Sequence, residues 1–204
     1  MIKYITFISL FILSVNHLYA NDNFVIDGDK LIYDTYATDD RIELEDYDFF
    51  KKILLENTNI KTLQLNSHGG YIEDAYEIAD LIIDFEIDTH VVGECASACT
   101  IIFLAGENRS IQKGSFIGFH KGYWSGPSIK EWYDYYKEDY SWNDEFEFAS
   151  WLYTDTQSSI LKDMQYLIER GVDPLFAIRT LTASSDDMWY PRRKELRDSG
   201  IITK

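Results

Sequence analysis

The chain has 204 residues, 46% of them apolar, which is enough for one domain with a sizeable core and argues against a disordered protein. Its 35 acidic and 19 basic residues give a formal net charge of −16. This balance argues against nucleic acid and anionic lipid as partners, because phosphate binding needs a basic surface. Two cysteines are too few for a disulfide scaffold.

Residues 1–20 have the pattern of a secretory signal peptide. Lys3 precedes an apolar run over 5–15, and the small residue Ala20 is followed by polar residues. The run is about half the roughly 20 residues that span a bilayer, so we expect cleavage after Ala20 and no stable membrane span in the mature chain. An uncleaved N-terminal anchor is the alternative. The mature protein would be periplasmic or secreted, in an oxidising compartment.

The mature chain begins with a predicted strand, turn and strand over Phe24–Ile32 and a helix over Tyr47–Leu55. Strands and helices then alternate: strand Thr62–Leu65, helix Ile72–Phe85, strand Thr89–Val92, helix Ala96–Ala105 and strand Phe116–Phe119. This alternation is typical of a parallel sheet with crossover helices. We therefore predict an α/β domain over residues 21–204.

Residues 122–170 differ in composition from the rest of the domain. Aromatic side chains are interleaved there with acidic ones, for example at Trp132, Trp142 and Trp151. These side chains could be buried between subunits, pack on the sheet as a helical lid, or stack on sugars. Further helices are predicted over Ile160–Ile168 and Leu175–Leu181, before a tail with Pro191 and Gly200 as turn residues.

Three short segments carry residues suited to nucleophilic catalysis. Gly69 and Gly70 follow a strand, Ser97 lies among small residues after the next strand, and His120 ends a third. Each is ordinary by itself: a turn, a helix cap and a structural histidine are the usual interpretations. Because groups at the carboxyl ends of parallel strands lie close together, the combination predicts a serine nucleophile with a histidine base.

The same segments resemble the proteolytic subunit of Clp protease, within the Clp/crotonase superfamily. Leu65–Gly70 (LNSHGG) is similar to the family's N-S-P-G-G turn, Gly93–Ser97 (GECAS) to its G-Q-A-A-S segment, and Ile117–His120 (IGFH) to the strand that ends in its histidine. The resemblance implies a spiral of parallel strands and crossover helices, in which 122–170 forms an enlarged handle or cap. The cysteine-flanked serine resembles exported Clp-like proteins of Gram-negative bacteria.

The resemblance also implies the roles of the site residues. Ser97 would be the nucleophile, His120 the general base, and the backbone N–H groups of Gly70 and Ala98 the oxyanion hole. Asp187, two residues before an aromatic residue as in the family, would orient His120. Its neighbour Asp186 is the residue with which it could be confused.

The sequence departs from the family at two places. His68 stands where the family usually has proline, and the gap from position 120 to position 187 is 67 residues, longer than in the Clp subunit. The extra length lies in the aromatic segment, which puts assembly into the family's rings in doubt. Lys121 and Lys130 are minor alternative bases, although Lys121 and His120 would point to opposite faces of a strand.

Cys95 and Cys99 lie on either side of Ser97. They could form a disulfide that stiffens the nucleophile turn, or remain two buried thiols. A pair of cysteines without a third ligand makes an incomplete metal site, so we expect no metal and no cofactor.

We expect an exported serine peptidase or related acyl hydrolase that takes peptides or unfolded polypeptides and forms a homo-oligomer. A catalytically silent Clp-like scaffold used for binding or assembly is the main alternative. Acyl-CoA chemistry, as in crotonases, fits poorly with an export signal because coenzyme A is cytoplasmic.

Overall fold

A computed structural model describes residues 21–204, and the predicted signal peptide lies outside these residues. Six strands form one sheet there: β1 (Phe24–Asp27), β2 (Lys30–Asp34), β3 (Thr62–Ser67), β4 (Asp88–Ala96), β5 (Arg109–Ile111) and β6 (Phe116–Gly118). The order is β1-β2-β3-β4-β5, and β6 also pairs with β4. Within this sheet only β1 and β2 pair in the antiparallel sense, as a hairpin; the other strand pairings are parallel, which confirms the predicted α/β class.

Seven helices of the described residues connect and cover these strands: α1 (Asp46–Glu56), α2 (Ile72–Asp84), α3 (Cys99–Leu104), α4 (Gly126–Tyr136), α5 (Glu145–Glu169), α6 (Pro174–Arg179) and α7 (Arg193–Asp198). Among residues 21–204 no helix is both long and apolar enough to cross a membrane. Strand β5 and helices α4 and α7, which no sequence pattern placed, are the additions to the expected order.

The core forms where apolar residues of adjacent parallel strands come into register. Leu31 of β2 lies beside Leu63 of β3, and Leu65 of β3 lies between Tyr33 and Val91. All five are completely buried. Burying a side chain of this size stabilises the fold by roughly 1.5–3 kcal/mol, so this layer fixes the register of the strands that lead to the site.

Strand β4 is divided at Gly93. Its first half pairs with β5 through Thr89–Val91, and its second half pairs with β6 through Glu94–Ala96. The side chain of Asn66 occupies the break: its Oδ1 accepts a hydrogen bond of 3.0 Å from the Glu94 N–H. Because of this break, β6 lies beside the half of β4 that leads into Ser97.

Helices α4 and α5 form a hairpin from the aromatic segment. The side chains of Ser125 and Asp144 cap the two helices by accepting bonds from backbone N–H groups. Rings from both helices and their connection pack on one another, as between Tyr133 and Phe148 at 5.4 Å and between Trp142 and Trp151 at 5.0 Å. The helix predicted over Ile160–Ile168 forms the last part of α5, which is 25 residues long.

Candidate active site

Ser97 lies in the turn between β4 and α3, not in the first turn of a helix as predicted. Strand β4 continues through Ala96, and α3 begins only at Cys99. The φ angle of Ser97 is 55°, in the left-handed region that a residue with a Cβ seldom adopts. Its N–H donates to the Gly118 carbonyl over 3.0 Å, and its own carbonyl accepts from Thr100. The turn is therefore held from both sides.

Strand β6 delivers His120 to this turn. Ala96 and Gly118 are register partners, so the residues that follow them leave the sheet at the same edge. The His120 Nε2 lies 2.8 Å from the Ser97 Oγ, within hydrogen-bond distance. The structure thus brings together the predicted nucleophile and the predicted base.

The glycine turn after β3 packs directly against Ser97. A Cβ on Gly69 would lie 2.7 Å from the Ala96 carbonyl oxygen, 2.8 Å from the Ser97 Cβ and 2.9 Å from the Ala98 nitrogen. The backbone N–H groups of Gly70 and Ala98 donate to no protein acceptor within residues 21–204. Backbone amides without an acceptor in the two turns that meet at Ser97 are the kind of donor from which an oxyanion hole is built.

Cys95 and Cys99 are joined by a disulfide in the structure, with Cα atoms 5.3 Å apart. Both residues are fully buried. The bond connects the end of β4 to the first residue of α3 and so spans the turn that carries Ser97.

Asp187 does not contact His120 in the structure, contrary to the predicted triad. Its carboxylate turns back and accepts a bond of 2.8 Å from the Met188 N–H, as short aspartate side chains commonly do in loops. The Nδ1 of His120 is buried without a hydrogen-bond partner among the described residues, so Asp186 does not bond to it either. The site shown is a serine–histidine dyad.

The segment that carries both aspartates is nevertheless hydrogen-bonded to the residues on either side of His120. The Lys121 N–H donates to the Ala183 carbonyl, and Phe119 exchanges two backbone bonds of 2.9 Å with Trp189. Residues 183–189 therefore form a loop fastened on either side of His120.

The two lysines considered as alternative bases do not reach Ser97. Lys121 is exposed, and Lys130 pairs with Asp134 on the surface of α4.

A polar cluster that the sequence did not predict surrounds Glu94, just before the disulfide. Its carboxylate accepts hydrogen bonds from the hydroxyls of Tyr36 and Tyr190. The bond to Glu94 raises the pKa of Tyr36 to about 12. His68, at the family's proline position, packs its ring on Tyr36 and lies 3.7 Å from the Glu94 carboxylate. The cluster fastens the glycine turn to the end of β4.

A cavity opens beside the dyad and contains an acidic side chain that sequence analysis also missed. Ser97 and His120 line it together with Tyr76 of α2 and Asp163 of α5. The hydroxyl of Tyr76 donates to the Asp163 Oδ1 over 2.7 Å. Burial is the main cause that raises the pKa of the Asp163 carboxyl. Position 163 lies 66 residues after the serine in the sequence, and no local motif connects the two.

The parallel sheet, its crossover helices and the dyad at its edge define a Clp-protease-like α/β domain with a peptidase-like fold. The Clp protease family model matches residues 49–121, which include Ser97 and His120. None of the curated proteins matches the sequence.

Many solved structures match this fold, including the following two. A mutant of ClpP1 from Listeria monocytogenes is 21% identical over 79% of this chain and 84% of its own, with a TM-score of 0.54. A peptidase from Plasmodium falciparum is 16% identical over 80% of this chain and 90% of its own, with a TM-score of 0.56. The chain therefore has the Clp-like fold, as its motifs predicted.

Proposed function

We propose that this chain is an exported serine peptidase or related acyl hydrolase with Ser97 as its nucleophile. The observation that carries the proposal is the 2.8 Å contact between Ser97 Oγ and His120 Nε2, in a turn whose Ala98 N–H donates to no acceptor within residues 21–204. A serine hydroxyl becomes a nucleophile when a base accepts its proton and donors hold the oxygen on which charge develops.

The proposed reaction is acyl transfer in two halves. Ser97 Oγ attacks the substrate carbonyl carbon while His120 Nε2 takes the hydroxyl proton, and the carbonyl oxygen becomes an oxyanion held by the N–H groups of Gly70 and Ala98. The imidazolium then gives its proton to the leaving amine, and the C–N bond breaks to leave an acyl-serine. Water, activated by the same imidazole, attacks this ester and frees Ser97.

For His120 to accept a proton at Nε2, its Nδ1 must carry one, and a carboxylate would stabilise the imidazolium that forms. We assign this positioning role to Asp187. The loop of residues 183–189 would bring its carboxylate from the Met188 N–H to the buried Nδ1. Asp187→Asn should lower turnover strongly, whereas Asp186→Asn should change it little. The reverse result would give the role to Asp186.

Export, a polypeptide substrate and self-association belong to the same proposal. The pattern of residues 1–20 supports export, and the intact mass of secreted or periplasmic material should begin at Asn21. Large exposed apolar side chains along α5 and α6, such as Phe146, Leu161 and Leu175, support a homo-oligomer. Light scattering of the mature protein tests this state.

A fluorophosphonate probe tests the nucleophile in the mature, oligomeric protein. We expect one label per chain, on Ser97, and none in Ser97→Ala. Ser158→Ala, an exposed serine on α5, is the matched control and should label like the wild type. Equal labelling of Ser97→Ala, or no labelling of the wild type, would refute the proposal.

The unpartnered Nδ1 of His120 among the described residues favours one other candidate, a catalytically silent scaffold used for binding or assembly. A dyad whose base lacks an orienting carboxylate catalyses poorly. A stable oligomer that takes up no probe at any pH between about 6 and 9 would support the scaffold over the enzyme.

A further inference from the structure

The cavity beside Ser97 and His120 has apolar walls and one acidic group. Five of its lining side chains are long aliphatic or thioether groups: Ile72, Ile101, Met164, Leu167 and Leu181. Asp163 is the carboxylate among the lining residues. An apolar channel with a single anionic group matches a side chain that has a methylene stem and a cationic end.

Asp163 is held in place but has no cationic partner among the described residues. Tyr76 donates to its Oδ1 over 2.7 Å, and the Oδ2 accepts no hydrogen bond from residues 21–204. Within the same residues it forms no ion pair with lysine, arginine or histidine. A half-buried carboxylate that lacks a counter-charge is destabilising, and a cation entering the cavity would remove that cost.

The neighbouring Lys162 on α5 makes no ion pair with Asp163 within residues 21–204, although its charge partly opposes the effect of burial on the carboxylate. The Lys162 Nζ lies 3.9 Å from the centre of the Tyr76 ring, in a cation–π contact. Tyr76 thus contacts Lys162 with its ring and Asp163 with its hydroxyl. The acidic group remains available to a ligand in the cavity.

We propose that Asp163 is a specificity-determining residue that selects a lysine side chain at the substrate residue whose carbonyl Ser97 attacks. The apolar walls contact the methylene stem, and the carboxylate accepts hydrogen bonds from the ammonium group. This inference rests on the proposed hydrolase function. The net charge of −16 is consistent with it, because an acidic protein attracts cationic substrates.

Two fluorogenic peptides that differ only at this residue test the proposal, one with lysine and one with norleucine, which has a similar stem without the ammonium. Because a hydrogen bond to a charged group is stronger than one between neutral groups, kcat/KM should favour lysine at least about tenfold. Asp163→Asn, which keeps an acceptor for Tyr76, should abolish or reverse this ratio. Glu169→Gln, an exposed acidic residue on the same helix, should leave the ratio unchanged.

Binding separates this inference from the hydrolase proposal. Calorimetry with Ser97→Ala protein, which needs no turnover, should show tighter binding of the lysine peptide, and Asp163→Asn in that background should remove the difference. If the protein binds the lysine peptide more tightly but the wild type hydrolyses neither peptide, the role of Asp163 in specificity stands and the hydrolase proposal is refuted. Equal cleavage or binding of the two peptides, no binding of either, or an unchanged ratio in Asp163→Asn would overturn the role of Asp163.

Discussion

Gly69 lies so close to Ser97 that there is no room for a side chain between them. A Cβ on Gly69 would come within 2.8 Å of the Ser97 Cβ, and the φ angle of Gly69 is 102°. The glycine turn and the nucleophile turn are therefore packed backbone against backbone, and the geometry of one sets the geometry of the other.

Replacing Gly69 with alanine should displace the Ser97 turn. Crowding and backbone strain together should lower the free energy of unfolding by at least about 2 kcal/mol and slow probe labelling by at least about 100-fold. Gly114→Ala is the matched control, because its φ angle is 91° but a Cβ there meets nothing within 4 Å. Gly114→Ala should lower the free energy of unfolding but leave the rate of probe labelling unchanged. Normal labelling of Gly69→Ala would show that the contact is unimportant.

The left-handed backbone of Ser97 predicts a difference between two inactive variants. Glycine adopts this conformation freely and alanine does not, so Ser97→Gly should be more stable than Ser97→Ala by about 1 kcal/mol. Urea denaturation measures the difference, and neither variant should take up probe. If the two unfold at the same urea concentration, the strain assigned to Ser97 is absent.

The disulfide should stabilise the turn modestly, because it closes a short loop between positions only four apart in the sequence. By the chain-entropy relation this is worth about 2 kcal/mol. The Cys95→Ala/Cys99→Ala double variant should lose that amount and label more slowly. Reduction of the wild type should have the same effect if the bond, rather than the packing of the thiols, is responsible. Two freely alkylated thiols in the mature protein, isolated without reductant, would refute the bond.

His90 should make the fold sensitive to mild acid. Burial is the main cause that lowers the pKa of His90 from its ordinary value of 6.5, and its Nδ1 lies 2.8 Å from the Ser110 Oγ. Below that pH the unfolded chain binds the proton more readily than the folded one, so the free energy of unfolding falls as pH decreases, by at most about 1.4 kcal/mol per unit. His90→Gln should flatten this slope between about pH 7.5 and 5.5, on either side of the unfolded pKa. If the free energy of unfolding changes with pH by the same amount in the wild type and in His90→Gln, His90 is not the cause of the acid sensitivity.

Sequence pattern alone predicted the alternation of strands and helices and the order of the glycine turn, Ser97 and His120. These features are local, because apolar periodicity and glycine positions act over a few residues. The α/β class followed, since alternating strands and helices have few arrangements other than a parallel sheet.

Tertiary structure decided everything that depends on residues far apart in the chain. The register of β4 with β6 sets the distance from Ser97 to His120, and the packing of α5 on α2 brings Asp163 to Tyr76 and into the cavity. The pairing of Phe119 with Trp189 fastens one end of the loop that carries Asp186 and Asp187. Such contacts join positions that are distant in the sequence, and only burial and hydrogen bonding in the whole fold select them.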